Sequence, residues 1–272
     1  MTELANVLWI GGRSGAGKST VARLLARRHG LRWYSCDTRT WEHRDRAIIA
    51  GHQGAITWER LTPTQRSQLT AADTIRLAID RSAMVLDDVM GLPDQPAVVA
   101  EGTNVVPSMV PHRSLAIWLT APARVRADRN RQRGWGAAGG EVDLIKEREL
   151  LAELDRAKAT VIETGDHSDP VDTVDLIDAI AADWLAVRPT AADRRERQRL
   201  IREGNAAIVA QYRGGLARAG NTTGQDLVRA YDCECGDPHC TELVECTLGS
   251  LPDPFAPTAC PILAPGHSAE PA

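Results

Sequence analysis

The sequence predicts an α/β fold: a parallel sheet covered by helices on both faces, followed by a small C-terminal module organised by cysteines. Three observations carry that expectation. The stretch Gly12-Arg13-Ser14-Gly15-Ala16-Gly17-Lys18-Ser19 reads G-x-x-x-x-G-K-S and lies between an apolar β-prone run and a helical pattern. Strand-like runs and helical periods then alternate five times up to about residue 187. Near the C-terminus, Cys233, Cys235, Cys240 and Cys246 crowd into fourteen residues.

In chain order, Val7-Leu8-Trp9-Ile10 is the first strand, short and apolar as a buried parallel strand should be. Thr20 to His29 follows as a helix, with Val21, Leu24, Leu25 and Arg28 at helical spacing. Leu31 to Asp37 is a second strand ending in an acid. Thr62-Pro63 marks a helix start. The spacing of Ile75, Ile79, Leu86 and Val89 predicts one helix from Thr64 to Met90. That period runs through Met84-Val85-Leu86-Asp87-Asp88, which mimics a Walker B strand but reads as a helix end. The third strand is Ala97 to Gly102, and it places Glu101 at a strand's carboxyl end, where ligands sit in open α/β sheets. Leu115 to Leu119 and Val161 to Thr164 complete the sheet. Between them lie a helix from Pro122 to Arg133, a glycine-rich break over 134–140 and a helix from Glu141 to Thr160. Val174, Ile177, Ala181 and Trp184 mark the closing helix.

The expected organisation is a nucleotide-binding domain over 1–187, an Arg-rich helical connector over 188–228, and a Cys-rich module with a Pro-rich tail over 229–272. The chain has 272 residues, 43% hydrophobic and 25% charged, with a net charge of −4. Such a balance gives no general pull toward nucleic acid or anionic lipid. No apolar run approaches a membrane span. The N-terminus lacks the basic and apolar regions of a secretory signal, so a cytoplasmic protein is expected.

The glycine-rich loop is a phosphate cradle. Glycines let successive backbone N–H groups turn toward an anion, and the following helix adds its positive N-terminus. Gly12, Ser14, Gly15, Ala16, Gly17 and Thr20 are the expected ATP-contacting residues around it. Lys18 reaches the β/γ-phosphates, and the Ser19 hydroxyl is placed to bind Mg²⁺. Asp37, ending the strand beside the loop, is the candidate general base; a helix cap before Thr38 is the structural alternative. Glu101 is a candidate for Mg²⁺, through water, or for the substrate. Arg126, Arg129 and Arg133 share one helix face next to the glycine-rich break. They suit a closing lid, with Arg129 and Arg133 as candidate catalytic cations. His43, Arg44 and Arg46 are candidates for an anionic acceptor.

C-x-C-x₄-C places three thiolates, Cys233, Cys235 and Cys240, around one tetrahedral Zn²⁺. From the residues alone, the fourth ligand is open among Cys246, His239 and His267.

From the loop through Asp37, Glu101 and the arginine face, residues 1–187 resemble the P-loop small-molecule kinases, including gluconate, shikimate and adenylate kinases and chloramphenicol phosphotransferase. The resemblance implies ATP and Mg²⁺ as cofactors, a nucleotide and a small-molecule acceptor as partners, and Asp37 beside that acceptor. Shikimate kinases carry Asp-x-Asp after the second strand; here Ser35-Cys36-Asp37 keeps only the second acid. The C-E-C-x₄-C run followed by Pro265-Gly266-His267 resembles a module of actinobacterial P-loop proteins, and that resemblance favours His267 as the fourth ligand. The implied function is phosphoryl transfer from ATP to a small-molecule hydroxyl. The alternatives are an ATP-dependent regulatory switch and a zinc-containing nucleic-acid-binding protein. Residues 229–248 carry one arginine and several acids, which argues against the latter.

Overall fold

The computed structural model describes residues 3–112, 114–132, 140–166, 168–219, 224–252, 255 and 260–269. Five parallel strands form one sheet: β1 (Val7–Gly11), β2 (Arg32–Ser35), β3 (Val98–Glu101), β4 (Leu115–Thr120) and β5 (Thr160–Glu163), in the order β2-β3-β1-β4-β5. β1 is buried along its whole length because it lies between β3 and β4 with helices on both faces. One face of the sheet packs Leu8, Ile10, Val99 and Ile117 against α1 (Lys18–His29) and α9 (Pro170–Ala186). The other packs Val7, Trp9, Val98 and Ala100 under Val85 and Val89 of α6 (Ser82–Met90) and Val105. This is the parallel sheet, covered by helices on both faces and with the glycine-rich loop after its first strand, that the motif and alternation predict.

The helical region between β2 and β3 departs from expectation. In place of one helix over 64–90 there are α4 (Pro63–Ser67), α5 (Ala71–Leu77) and α6, preceded by α2 (Thr40–Ile49) and α3 (Gln53–Arg60). Local side-chain bonds restart the chain each time. Thr62 and Gln65 form a capping box, and the Thr70 hydroxyl accepts from the Asp73 amide. Met84 to Asp88 is helical, as its period predicts. Beyond β4 come α7 (Ala123–Gln132) and α8 (Glu141–Ala157).

The segment expected to connect two parts is a 25-residue helix, α10 (Arg194–Arg218), that packs over β2 and the turn after it. Glycine permits this approach. A Cβ at Gly204 would lie 3.0 Å from the Trp33 ring, and one at Gly214 would lie 2.9 Å from the Trp41 ring. The Trp41 indole N–H donates to the Gln211 carbonyl at 2.9 Å. The chain then forms an antiparallel hairpin, β6 (Val228–Asp232) with β7 (Leu243–Thr247), built on Val209, Tyr231, Leu248 and Ile262.

Candidate functional site

The loop from Gly12 to Ser19 links the carboxyl end of β1 to the N-terminus of α1. Gly15 and Gly17 hold φ of +83° and +95°, which side chains disfavour. A Cβ on Gly15 would also lie 2.7 Å from the Arg126 carbonyl. The buried Lys18 Nζ donates across the loop to the Arg13 carbonyl at 3.1 Å. The apex is tied to α7 and α8. Ser14 Oγ donates to Asn130 Oδ1 at 3.0 Å, and Asp143 accepts from Arg13 and Arg126, each at 2.7 Å. Burial works to raise the Asp143 carboxyl, but these two guanidinium bonds hold it below the ordinary value.

The arginine face divides in three. Arg126 is buried, paired with Asp143 and with Glu147 at 2.6 Å, so it braces α7 against α8 rather than facing a ligand. Arg129 donates to the Gly15 carbonyl at 3.1 Å and the Gly165 carbonyl at 2.6 Å, bridging the loop to the turn after β5. Arg133 and most of the glycine-rich break lie outside the described residues.

Parallel register brings the acids to the loop. Ser35 of β2 and Ile10 of β1 both align with Glu101 of β3. Asp37 follows in a tight turn, Cys36–Arg39. The N-cap of α2 is Arg39, so the Asp37 carboxylate does not serve as that cap. Glu101 is fully buried, and neither carboxylate oxygen has a direct hydrogen-bond partner. Its pKa is raised, first by burial and also by Asp37, against the opposing pull of Lys18 and the Ser35 and Ser19 hydroxyls. An orphaned buried carboxylate beside Ser19 and Lys18 fits a divalent cation, which would supply the missing partner. A carboxyl whose pKa is raised by folding stabilises the protein fully below its unfolded value and loses that contribution as pH climbs through the folded one. Near neutral pH the charged form therefore costs stability. Glu101→Gln is expected to raise the thermal midpoint of the ligand-free protein by a few degrees, about 1–3 kcal/mol. A midpoint unchanged or lowered at pH 7 would contradict the orphaned-carboxylate assignment.

His43, Arg44 and Arg46 do not form an acceptor site. His43 is fully buried; its Nδ1 accepts from Arg81 Nε at 3.0 Å, so Nε2 carries the proton donated to Asp88 at 2.7 Å. Asp88 also accepts from Tyr34 and Arg46. Burial pushes Asp88 up, yet the bonds from His43 and Tyr34 bring it to about 2. Arg44 stands between the Trp41 and Trp58 rings, 5.8 and 5.4 Å from their centroids. Through Arg81, which also donates to the Cys36 carbonyl, this network fixes the turn that carries Asp37. Arg81 and Asp88 have no local sequence signal for this role, because they lie 38 to 54 residues from the groups they hold.

Two clefts border the loop. One, about 350 Å³, lies between Ala16, Gly17 and Arg129 on one side and Asp166, Ser168 and Thr173 on the other. The second, about 390 Å³, opens over Ser19, Ser35 and Asp37 and reaches α10 and the β6–β7 hairpin. Both touch Thr20 and Gln132, so they meet above the start of α1.

The cysteine loop sits behind the other end of α1. Among the described residues, Cys233, Cys235, Cys240 and His267 bring one ligand atom each to within 4.8 Å of one another. His267 Nδ1 is 3.4 Å from Cys233 Sγ and 3.6 Å from Cys240 Sγ. A tetrahedral site with roughly 2.3 Å metal–sulfur and 2.0 Å metal–nitrogen bonds has S···N edges of about 3.5 Å, so the donor set fits zinc. His239 is exposed and outside this group, and Cys246 packs in the hairpin core. The tail folds back over the loop: Glu234 donates its amide to the Ile262 carbonyl and accepts from the Ile262 amide, Asn205 and Arg202. Arg27 of α1 is buried against the loop, donating to the Cys233 carbonyl at 2.5 Å and lying 3.9 Å from Cys235 Sγ. Arg194 and Gln198 of α10 donate to the Cys235 carbonyl. The arginines of α10 thus hold this loop, a role their sequence pattern does not reveal.

Comparison with known proteins gives a partial overlap with several solved structures. A shikimate kinase from Acinetobacter baumannii in complex with shikimate is 20% identical, over 65% of this chain and 93% of that one, with a TM-score of 0.42. A sugar kinase from Janibacter sp. is 20% identical over 67% and 95%, with a TM-score of 0.37. A shikimate kinase from Aquifex aeolicus is 16% identical over 66% and 98%, with a TM-score of 0.34. The AAA domain family matches residues 8–150 of the 272, which span the phosphate loop, Asp37, Glu101 and the arginine helix. With its phosphate loop between β1 and α1 of a parallel sheet, the chain belongs to that AAA domain family.

Proposed function

We propose that the protein transfers the γ-phosphoryl group of ATP to a hydroxyl of a small molecule. The observation that carries this reading is the pair of clefts meeting over Thr20, one beside Arg129 and the other opening on Asp37. A nucleotide base and ribose suit the first, and an acceptor suits the second, so the reacting groups would meet at the loop.

In this reading the backbone N–H groups from Gly12 to Ser19 and the start of α1 bind the phosphates. Lys18 neutralises the charge that grows on the transferred group, and Asp37 takes the proton from the acceptor hydroxyl. Arg129 holds the loop against the turn after β5, which keeps the nucleotide cleft in shape. Ser19 and Glu101 would hold Mg²⁺, which would supply positive charge against the phosphates. Cys233, Cys235, Cys240 and His267 would hold a structural Zn²⁺. No described helix is long and apolar enough to cross a membrane, and the partners proposed are a nucleotide and a small molecule.

The test is ADP release with Mg²⁺ and ATP, measured alone and with a panel of hydroxyl compounds. A slow basal rate that one compound class raises at least tenfold, with stoichiometric phosphorylated product, is the expected result. A rate that no compound changes, while ATP still binds, would favour the regulatory switch.

A further inference from the structure

We propose that α10 and the β6–β7 hairpin form the far wall of the acceptor cleft, and that this wall selects a hydroxyl compound with an apolar body over a polyol. The inference rests on the phosphotransferase reading and adds the substrate class and the residues that choose it.

The hairpin has two faces with different neighbours. In an antiparallel pair, residues directly opposite share a face and successive residues alternate. Tyr231, Val244 and Cys246 turn to the hairpin's own core. The other face carries Val228, Ala230, Asp232, Leu243, Glu245 and Thr247, and of these Val228, Ala230, Leu243 and Glu245 line the cleft that opens on Asp37. A hairpin face turned only to water is ordinarily polar. Here Val228 and Leu243 stay 47% and 49% exposed inside a concave site. Trp33 and Tyr212 add aromatic surface to the same cleft. Arg229 lies 4.5 Å over the Tyr212 ring and donates to the Val228 carbonyl at 2.7 Å, which fixes the two elements relative to each other.

A cleft of about 390 Å³ is within the range that encloses a small molecule, and such sites combine an apolar lining with a few polar groups. The floor by Asp37 is polar, with Ser19, Ser35, Gln132 and Arg23 beside it, and the apolar part of the lining is the far wall of Val228, Leu243 and Tyr212. A compound that presents a hydroxyl to Asp37 and an apolar ring to Leu243 and Val228 covers both. A polyol leaves the aliphatic wall wet. Covering the exposed parts of two aliphatic side chains favours the apolar compound by tenfold or more in affinity.

The experiment measures binding and turnover together. Thermal shift and titration with Mg²⁺ and a non-hydrolysable ATP analogue compare 2-phenylethanol and 3-phenylpropane-1,2-diol with glycerol, xylitol and gluconate. ADP release is recorded with the same compounds and ATP. The aryl alcohols are expected to bind at least tenfold more tightly than the polyols. Leu243→Asp, with Leu243→Ala as the milder variant, is expected to weaken them at least tenfold while the analogue's Kd moves less than threefold. Equal binding of polyols, no binding of aryl alcohols, or binding unchanged in both Leu243 variants overturns the proposal. So does a wild-type dimer that Leu243→Asp makes monomeric, because a second copy would then cover the wall. Leu243-dependent binding without ADP release keeps the wall and sinks the phosphotransferase. ADP release driven by polyols and indifferent to Leu243 does the reverse.

Discussion

Lys18→Ala abolishes nucleotide binding, whereas Asp37→Asn keeps it and loses transfer: this contrast is the expected result of the two central substitutions. Lys18 is buried across the loop, with its Nζ bonded to the Arg13 carbonyl, and it contributes charge at the point where phosphate would sit. Alanine removes both the charge and the bond that closes the loop. Asp37 stands apart from the phosphate cradle, in a turn clamped from behind by Arg81. Asparagine keeps its shape and cannot accept a proton, so turnover falls by about 10²–10⁴ with the analogue's affinity retained. Calorimetric titration with a non-hydrolysable analogue and ADP release with an active acceptor separate the two effects. A folded Lys18→Ala protein that still turns ATP over sinks the loop assignment. Turnover within a few-fold in Asp37→Asn removes Asp37 as base.

Withdrawal of the metal has the second large effect, on the other end of the molecule. Structural zinc contributes on the order of 10 kcal/mol to the folding of small modules. Around the ligands the apolar packing is small, Ala264 with Val244 and Leu263, and Ile262 is the buried residue by which the tail joins the hairpin core. Chelation under reducing conditions is expected to release one Zn²⁺ per chain and expose residues 229–269 to protease. Nucleotide affinity should persist, because Lys18 and Ser19 lie at the opposite end of α1. Stimulation by the acceptor should vanish with the wall that the hairpin provides. His267→Ala is expected to lower zinc occupancy. Full occupancy in that variant would overturn the Cys₃His assignment, and a protein purified with zinc present yet free of it would end it.

Much of this was legible in the sequence where the chemistry is local. The phosphate loop is specified by residues within eight positions, and its strand and helix by adjacent periodicity. Cys233, Cys235 and Cys240 are close enough in sequence to be read as one site. The failures have two causes, local caps inside a helical period and partners far away in sequence. The helix start at Thr62-Pro63 is where it was expected, but the one helix expected over 64–90 breaks because Thr70 caps a new start inside it. Asp80 adds a further local bond, accepting from the Ser82 amide at the head of α6. His43 and Arg46 look like ligands until Asp88 arrives from α6 to bond them. Arg126 looks like a lid residue until Asp143 and Glu147 arrive from α8. Nothing in the periodicity of α10 shows that Gly204 and Gly214 seat it on tryptophans of the sheet domain.

Arg27 limits how the molecule can be divided. It lies in the last turns of α1, whose twelve residues extend about 18 Å from the phosphate loop. A chain severed after α9 would strip that guanidinium of the Cys233 and Asp237 carbonyls and turn it to water. It would also uncover the seam where Leu31 and Trp33 meet Leu200 and Ile201. The excised half would carry those apolar side chains as an uncovered flank, and its thermal midpoint is expected to fall below that of the full chain. The half expected over 1–187 thus leans on the chain that follows it, through Arg27 and through that seam.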